Sequence, residues 1–311
     1  MSPDSENSAA GRFEPLIARA AGQPVRTAVV HPVDARSLGG ALAAAAAKLI
    51  TPVLVGPDAK IKAAAKSINA DLSGLELIDT PHSHAAAEVA AGLAARGDVL
   101  SLMKGALHTN ELMGAVVPRS AGLRTERRMS HVFVMSTPAY SKWLLITDGG
   151  INIEPDLAAK RCIVQNAIDV ARAIGVETPK VAILSATEEV DPSIRSTVDA
   201  AALCKMSDRG QITGGVLDGP LAFDLAISQE AVLAKGIQSR VAGEADILVV
   251  PNLEAGNMVA KQLDYLAGAS AAGVVVGARV PIVLTSRSDE IGERVASCAV
   301  AACLTMCGEQ S

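Results

Sequence analysis

An α/β fold is predicted for this chain of 311 residues by three observations. Short β-branched and aliphatic runs alternate with alanine-rich segments of helical period, and glycine, proline or polar clusters close most of those runs. Half of the residues are hydrophobic, yet only 2% are aromatic. Regular alternation of strand and helix implies a mainly parallel, doubly wound sheet. The length exceeds one ordinary core, so one large or two medium domains are expected. With Phe13, Phe133, Phe223, Tyr140, Tyr265 and Trp143 as the whole aromatic complement, that core must be built from Ala, Val, Leu and Ile.

In chain order, a strand is expected at 27–30, ending in His31-Pro32-Val33-Asp34, and a helix at 35–49. A strand at 52–55 ends in Gly56-Pro57-Asp58, and a helix follows at 58–66. Strands at 75–78 and 99–103 flank a helix at 83–95. The last of these strands runs into Lys104-Gly105-Ala106-Leu107-His108-Thr109-Asn110-Glu111. Lys104 supplies charge, Gly105 lets backbone approach a ligand, and Thr109 or Asn110 is placed to cap a helix whose free N–H groups favour an anion. Ordinary turn chemistry explains Gly105 and Thr109 equally well, and a packed or surface histidine is the plain reading of His108. Neither GxxxxGK[ST] nor a convincing GxGxxG is present.

The stretch 118–128 gathers Arg119, Arg124, Arg127 and Arg128 among turn formers. It reads as a solvated interdomain linker or as local positive charge that captures a polyanionic ligand. Strands at 132–135 and 143–146, joined through Pro138, suggest an antiparallel pair. Asp148-Gly149-Gly150-Ile151-Asn152 leads to a helix at 157–174. A strand at 180–184, a helix at 193–206 and a strand at 214–217 follow, the last ending in Asp218-Gly219-Pro220. A strand at 245–250 ends in a turn containing Asn252, Gly256 and Asn257, before a helix at 258–266. Polar strand ends that recur in this way point to a shared ligand-binding edge. Caps and Asx-turns are the plain alternative at each one, and Asp218 with Asp224 is a candidate carboxylate pair.

The most chemically loaded stretch is PIVLTSRSDE, 281–290. Its apolar run, 282–284, reads as a buried strand that stops at Thr285-Ser286-Arg287-Ser288-Asp289, just before a helix at 291–304. Ser286 offers a hydroxyl, Arg287 a planar fork for phosphate and Asp289 a carboxylate able to accept a proton. Capping by Ser286, Ser288 or Asp289 beside a solvated Arg287 is the alternative.

A net charge of -5 argues against general nucleic-acid affinity. Cys162, Cys204, Cys298, Cys303 and Cys307 show no CxxC spacing and are expected as reduced, packed thiols. The amino terminus lacks a signal-peptide apolar region, and no uninterrupted apolar run approaches the roughly 20 residues of a membrane span. A soluble cytoplasmic protein with small-molecule substrates, and with neither nucleic-acid nor membrane partners, is expected.

MKGALHTNEL, GLRTERRMSHVFV, LLITDGGINIEPD, PKVAILSATE, VLDGPLAFDLAIS, ADILVVPNLEAGNMVAKQL and PIVLTSRSDE together resemble the phosphate acetyl/butyryltransferase family over roughly residues 15 to 305. The resemblance implies two three-layer α/β/α domains with an active site in the cleft between them, similar to isocitrate and isopropylmalate dehydrogenases. The division expected is 1–128 with 278–311, and 129–277. The implied reaction joins acyl-CoA and phosphate to give acyl phosphate and coenzyme A, in a homodimer or higher homo-oligomer. Coenzyme A and phosphate are then substrates, no permanent cofactor is expected, and no metal.

The family's Ser-Arg pair maps onto Ser286 and Arg287. Ser288-Asp289-Glu290 follows directly, as in the butyryltransferase branch, which leaves Asp289 or Glu290 as the base, with Asp289 preferred. The Leu-Arg-Pro of the acetyltransferase branch is replaced by Gly114-Ala115-Val116, so Arg124 to Arg128 become the candidates for the coenzyme A phosphates. Lys104, Gly105, His108, Thr109, Asp218, Gly219, Pro220, Asn252, Gly256 and Asn257 complete the expected substrate-binding set. A dehydrogenase and a non-catalytic binding protein of the same architecture are the rival readings.

Overall fold

The computed structural model describes residues 9–286 and 288–308. Helices α1 (Ala9–Arg12) and α2 (Glu14–Ala20) precede β1 (Val25–Val30), α3 (Ala35–Ala46), β2 (Ile50–Gly56), α4 (Asp58–Ser67), β3 (Glu76–Asp79), α5 (Ser83–Arg96), β4 (Ser101–Lys104) and α6 (Thr109–Val116). Next come β5 (Ser130–Ser136), β6 (Leu144–Thr147), α7 (Leu157–Ala173), β7 (Lys180–Leu184), α8 (Arg195–Asp208) and β8 (Val216–Leu221). Then follow α9 (Phe223–Ile227), α10 (Gln229–Lys235), β9 (Ile247–Val249), α11 (Leu253–Leu266), β10 (Ser270–Val276), β11 (Ile282–Val283) and α12 (Ile291–Gly308).

The chain divides into two units, Met1–Arg127 with Ala271–Ser311, and Arg128–Ser270. The return crossing falls at 270/271 rather than at the expected 277/278. The reason is β10, which the sequence did not announce: it pairs antiparallel with β11, Val274 opposite Val283. Its first half, Ser270-Ala271-Ala272-Gly273, carries none of the β-branching that marks strands. Also unannounced were α1, α2, α9 and α10, each of seven residues or fewer and too short for helical periodicity to register.

In the first unit the strands run β3-β2-β1-β4-β11-β10, all parallel except β10. Parallel strands place the ends of β1, β4 and β11 on one edge. Helix α12 lies in the core of this unit, its Ala296, Cys298, Ala299 and Val300 fully enclosed. By length and composition it is apolar enough to cross a bilayer, but 56% of it is buried within the protein. It therefore reads as a core helix. Cys298 Sγ rests 3.8 Å from Met103 Sδ on β4. Helix α3 seats on α12 through glycine: a Cβ on Gly40 would stand 2.6 Å from Arg294 Cδ.

The second unit has the order β5-β6-β9-β7-β8. Its β5 and β6 form the expected antiparallel pair, and the remaining pairings are parallel. Strand β8 runs through Asp218-Gly219-Pro220, where the sequence suggested a turn. Proline fits there because β8 is the last strand of the order and pairs with β7 alone.

Gly105 shows how tightly the edge of the first unit is closed. Its N–H donates to Val30 O at 2.9 Å, and Ala106 N–H donates to His31 O at 2.9 Å. An added Cβ would lie 2.4 Å from Val30 O and 2.7 Å from His31 O. The close approach that demands glycine is thus to the neighbouring strand's backbone rather than to a ligand, as had been expected. The crowding atoms are all backbone of Val30 and His31 and cannot yield as a side chain would, so Gly105→Ala should destabilise the fold by about 1–3 kcal/mol, the usual cost of overpacking. An unchanged urea midpoint would overturn this account.

Candidate active site

The first unit brings two of the chemically loaded stretches together. Lys104, at the end of β4, is buried and its Nζ donates to Thr285 O at 3.0 Å. The segment after β11 is gripped a second time by Arg294, one turn into α12. Its Nη1 donates to Thr285 Oγ1 (2.8 Å), its Nη2 to Ser286 O (2.8 Å) and its Nε to Asp289 O (3.4 Å). Burial lowers the Arg294 pKa from its ordinary value, against the raising influence of Asp289 and Asp34.

Within the segment, Ser286 N–H donates to Asp289 Oδ2 at 2.7 Å, and Asp289 N–H returns to Ser286 O at 3.3 Å. The Ser286 and Ser288 hydroxyls are 3.0 Å apart. Ser286 and Glu290 are exposed, while Asp289 is half-buried. Arg287 lies outside the described residues. The turn therefore presents a serine hydroxyl and two carboxylates from a segment whose backbone is fixed by two buried cations.

His108, rather than Thr109 or Asn110, is the N-cap residue of α6, and its N–H donates to Glu111 Oε2 at 3.1 Å. Thr109 is the first residue of the helix itself. Arg124 closes the other end of α6, with Nε donating to Val117 O at 2.7 Å. His31 is a residue the sequence reading passed over. It sits at the end of β1 with φ 58, buried, its Nδ1 without a hydrogen-bond partner. Desolvation foremost, then the Lys60 ammonium, lowers its pKa, so the neutral imidazole is favoured. A non-glycine residue in the left-handed region at a sheet edge is a mark of constraint that sequence alone does not carry.

The second unit gathers its own edge at the ends of β6 and β9. Asp148 is buried, and its carboxylate accepts the N–H groups of Gly150 (2.9 Å), Ile151 (3.0 Å) and Asn152 (3.1 Å) together with Asn152 Nδ2 (2.6 Å). Asn252 caps α11, taking Ala255 N–H at 3.0 Å. Gly256 and Asn257 consequently lie in the first turns of a helix, not in the expected loop before it. A Cβ on Gly256 would stand 2.9 Å from Gly149 Cα and 3.0 Å from Asp148 O, so two glycines let helix and loop touch. Arg128 Nε donates to Asn152 Oδ1 at 2.7 Å.

Asp218, Gly219 and Pro220 do not join this edge. They lie within β8, opposite Ala182 to Leu184 on β7, and Asp218 Oδ1 accepts its neighbour Gly219 N–H at 2.8 Å. Asp218 instead lines an open depression of about 620 Å³ with Ser207, Gln238 and Arg240. The pairing considered for Asp218 and Asp224 is replaced by separate contacts, Asp224 lying 3.9 Å from Lys235 Nζ. Desolvated thiols make poor nucleophiles: half-buried Cys204 and buried Cys298 are pushed up to about 12, and buried Cys303 up to about 11. Among the described residues no group of three or more His, Cys, Asp or Glu is arranged to hold a metal ion.

Two α/β units whose parallel strands end in turns bearing serine, asparagine and carboxylate groups form the kind of architecture that binds small polar ligands at strand ends. The chain belongs to the phosphate acetyl/butyryltransferase family, and it is an acyltransferase. The family model described as "Phosphate acetyl/butaryl transferase" matches residues 82–302. A phosphate acetyltransferase of Rhizobium meliloti is 60% identical over 94% of this chain and 92% of its own length. A phosphate butyryltransferase of Clostridium acetobutylicum is 43% identical over 80% of this chain and 83% of its own. The crystal structure of a branched-chain phosphotransacylase from Enterococcus faecalis V583 superposes with a TM-score of 0.77 at 31% identity, covering 90% of this chain and 99% of that one. The dehydrogenase and binding-protein readings fall away, while the dehydrogenase-like architecture remains.

Arg294 is the buried cation on which the Thr285 to Asp289 turn depends. Arg294→Leu should remove three hydrogen bonds and lower stability by about 2–4 kcal/mol, since each lost partner leaves a desolvated oxygen. The turn's main chain should also lose hydrogen-exchange protection. Unchanged exchange at Ser286 to Asp289 would show that Arg294 does not hold it.

Proposed function

We propose that this protein interconverts acetyl-CoA and phosphate with acetyl phosphate and coenzyme A. Identity over nearly the full chain supports acetyl as the acyl group, being higher with the acetyltransferase than with the butyryltransferase. The Ser-Arg-Ser-Asp-Glu spacing leans the other way, toward the butyryl type. Whole-chain identity weighs more, because an acyl pocket is lined by many dispersed side chains and the short motif concerns the phosphate and the proton.

In the direction of acyl-CoA synthesis, Asp289 removes the thiol proton of coenzyme A, with Glu290 as the alternative base. The thiolate attacks the carbonyl carbon of the acyl phosphate, the C–O bond to phosphate breaks, and phosphate leaves with the bonding electrons. Arg287 holds that phosphate as charge collects on it, and Ser286 with nearby backbone N–H groups steadies the carbonyl oxygen. Support comes from the fixed turn: Lys104 and Arg294 hold its backbone, so these groups need little reorganisation on binding substrate.

A cytoplasmic homodimer completes the proposal. The free cysteines suit a reducing compartment. On α11, Met258, Tyr265 and Leu266 are 58%, 71% and 84% exposed, and their spacing of seven and eight places them on one helical face suited to a second copy.

Phosphate-dependent release of coenzyme A should be fastest from acetyl-CoA, slower from propionyl-CoA and slowest from butyryl-CoA. Arg287→Ala should reduce kcat/KM by about 100-fold or more, as loss of a transition-state charge partner does. No release from any thioester by folded protein would sink the reaction, and a butyryl preference would sink the acyl assignment. Light scattering should give twice the chain mass for the wild type and a smaller mass for Leu266→Asp; a monomeric wild type would refute the dimer.

A further inference from the structure

We infer that Asn152 is a positioning residue that presents the Arg128 guanidinium to a phosphate group of coenzyme A. The inference rests on the proposed use of coenzyme A as substrate, and its geometry lies wholly within the second unit.

The amide of Asn152 can face only one way. Its Nδ2 donates to Asp148 Oδ2 at 2.6 Å and to Met129 O at 2.9 Å, so both acceptors lie on its donor end. Turning the amide over would set Oδ1 against a carboxylate and a carbonyl, which costs two bonds and adds repulsion. Its Oδ1 is therefore left to accept, and the donor it meets is Arg128 Nε at 2.7 Å. Asp148 is what fixes this choice. It is buried, and the three backbone N–H groups and the one amide that satisfy it hold the whole 148–152 loop around its charge.

The main chain of Arg128 is held as firmly. Buried Asn166 donates through Nδ2 to Arg128 O and to Ser130 Oγ, each at 2.9 Å. An exposed arginine normally loses much rotamer freedom when it captures a ligand. Here the stem is already fixed at Nε, and among the described residues Nη1 and Nη2 make no hydrogen bond or ion pair. That pair of terminal groups is the edge that grips a phosphate with two parallel bonds. The orienting partner is also uncharged, so it directs the guanidinium without cancelling its charge.

The test compares wild type, Arg128→Ala, Asn152→Ala and the double variant by steady-state kinetics, varying coenzyme A and acyl phosphate in turn. Loss of one well-placed charged hydrogen bond is worth about tenfold in affinity. Asn152→Ala should therefore raise KM for coenzyme A by about that factor, and Arg128→Ala, which removes both phosphate bonds, by at least as much, while kcat and the KM for acyl phosphate stay nearly unchanged. The double variant should be no worse than Arg128→Ala, because Asn152 acts through Arg128 alone. Multiplying effects, an unmoved KM for coenzyme A, or a rise confined to acyl phosphate would overturn the inference.

Asn152→Ser keeps a hydroxyl for Asp148 but offers Arg128 no amide oxygen, and it serves if the alanine variant fails to fold. Calorimetric titration with coenzyme A reads binding without turnover. Wild type that binds coenzyme A but performs no transfer refutes the reaction and leaves Asn152 open to this measurement. Equal binding by wild type and Asn152→Ser, or no binding by wild type, refutes the inference itself.

Discussion

Two buried cations hold the turn after β11 in the first unit, the turn on which the proposed chemistry rests. Lys104 and Arg294 both end on Thr285 to Asp289, the one from a strand terminus and the other from the opening turn of a core helix. Lys104 donates to a main-chain carbonyl, and Arg294 to two carbonyl oxygens and a hydroxyl. Removing an acceptor around a buried cation costs far more than losing an exposed ion pair, which gives the turn one strongly preferred geometry. The packing upstream exists to admit that arrangement. Gly40 on α3 leaves room for the Arg294 stem, and Gly105 lets β4 close against β1 so that Lys104 lies beneath the turn.

The second unit reaches comparable rigidity by a different route. Its central charge is a buried carboxylate, and the donors that satisfy Asp148 come from a loop of two glycines, one isoleucine and one asparagine. Glycine matters here because helix and loop approach to backbone contact, Gly256 against Gly149. In each unit a desolvated charge that hydrogen-bonds the main chain gives a loop at a sheet edge one shape.

Much of this was legible in the residues. The alternation of runs gave the strand and helix sequence, and the abrupt change from Ile-Val-Leu to polar side chains at Thr285 marked the end of β11. The antiparallel pair around Pro138 could be read from two runs and a turn former. Arg294 could not, since one arginine in the first turn of an apolar helix looks like a solvated residue until the packing is known. Asn152 was hidden for a related reason: its role depends on which end of its amide faces Asp148. Asp218 to Pro220 misled because Gly-Pro signals a turn locally, whereas the last strand of a sheet tolerates it. His31 shows the same limit, since its backbone conformation is imposed by β2 and β4 rather than by its neighbours in sequence.

The choice of partners also explains how a protein of net charge -5 can offer a positive site. Had an aspartate stood at 152, it would have oriented Arg128 more strongly but would have neutralised it, and the pair would have greeted a phosphate as a dipole. It would also have placed a second carboxylate beside Asp148 in a poorly solvated pocket, a repulsion of several kcal/mol by the usual behaviour of close like charges. An amide avoids both costs. It passes the order created around Asp148 to the guanidinium while leaving the charge of Asp148 behind, already bound by its own N–H donors. Local field then depends less on how many arginines the chain carries than on how their partners are arranged. Arg124 illustrates the contrast: its Nε is engaged with the end of α6, where the helix dipole favours a cation, and that contact serves the fold.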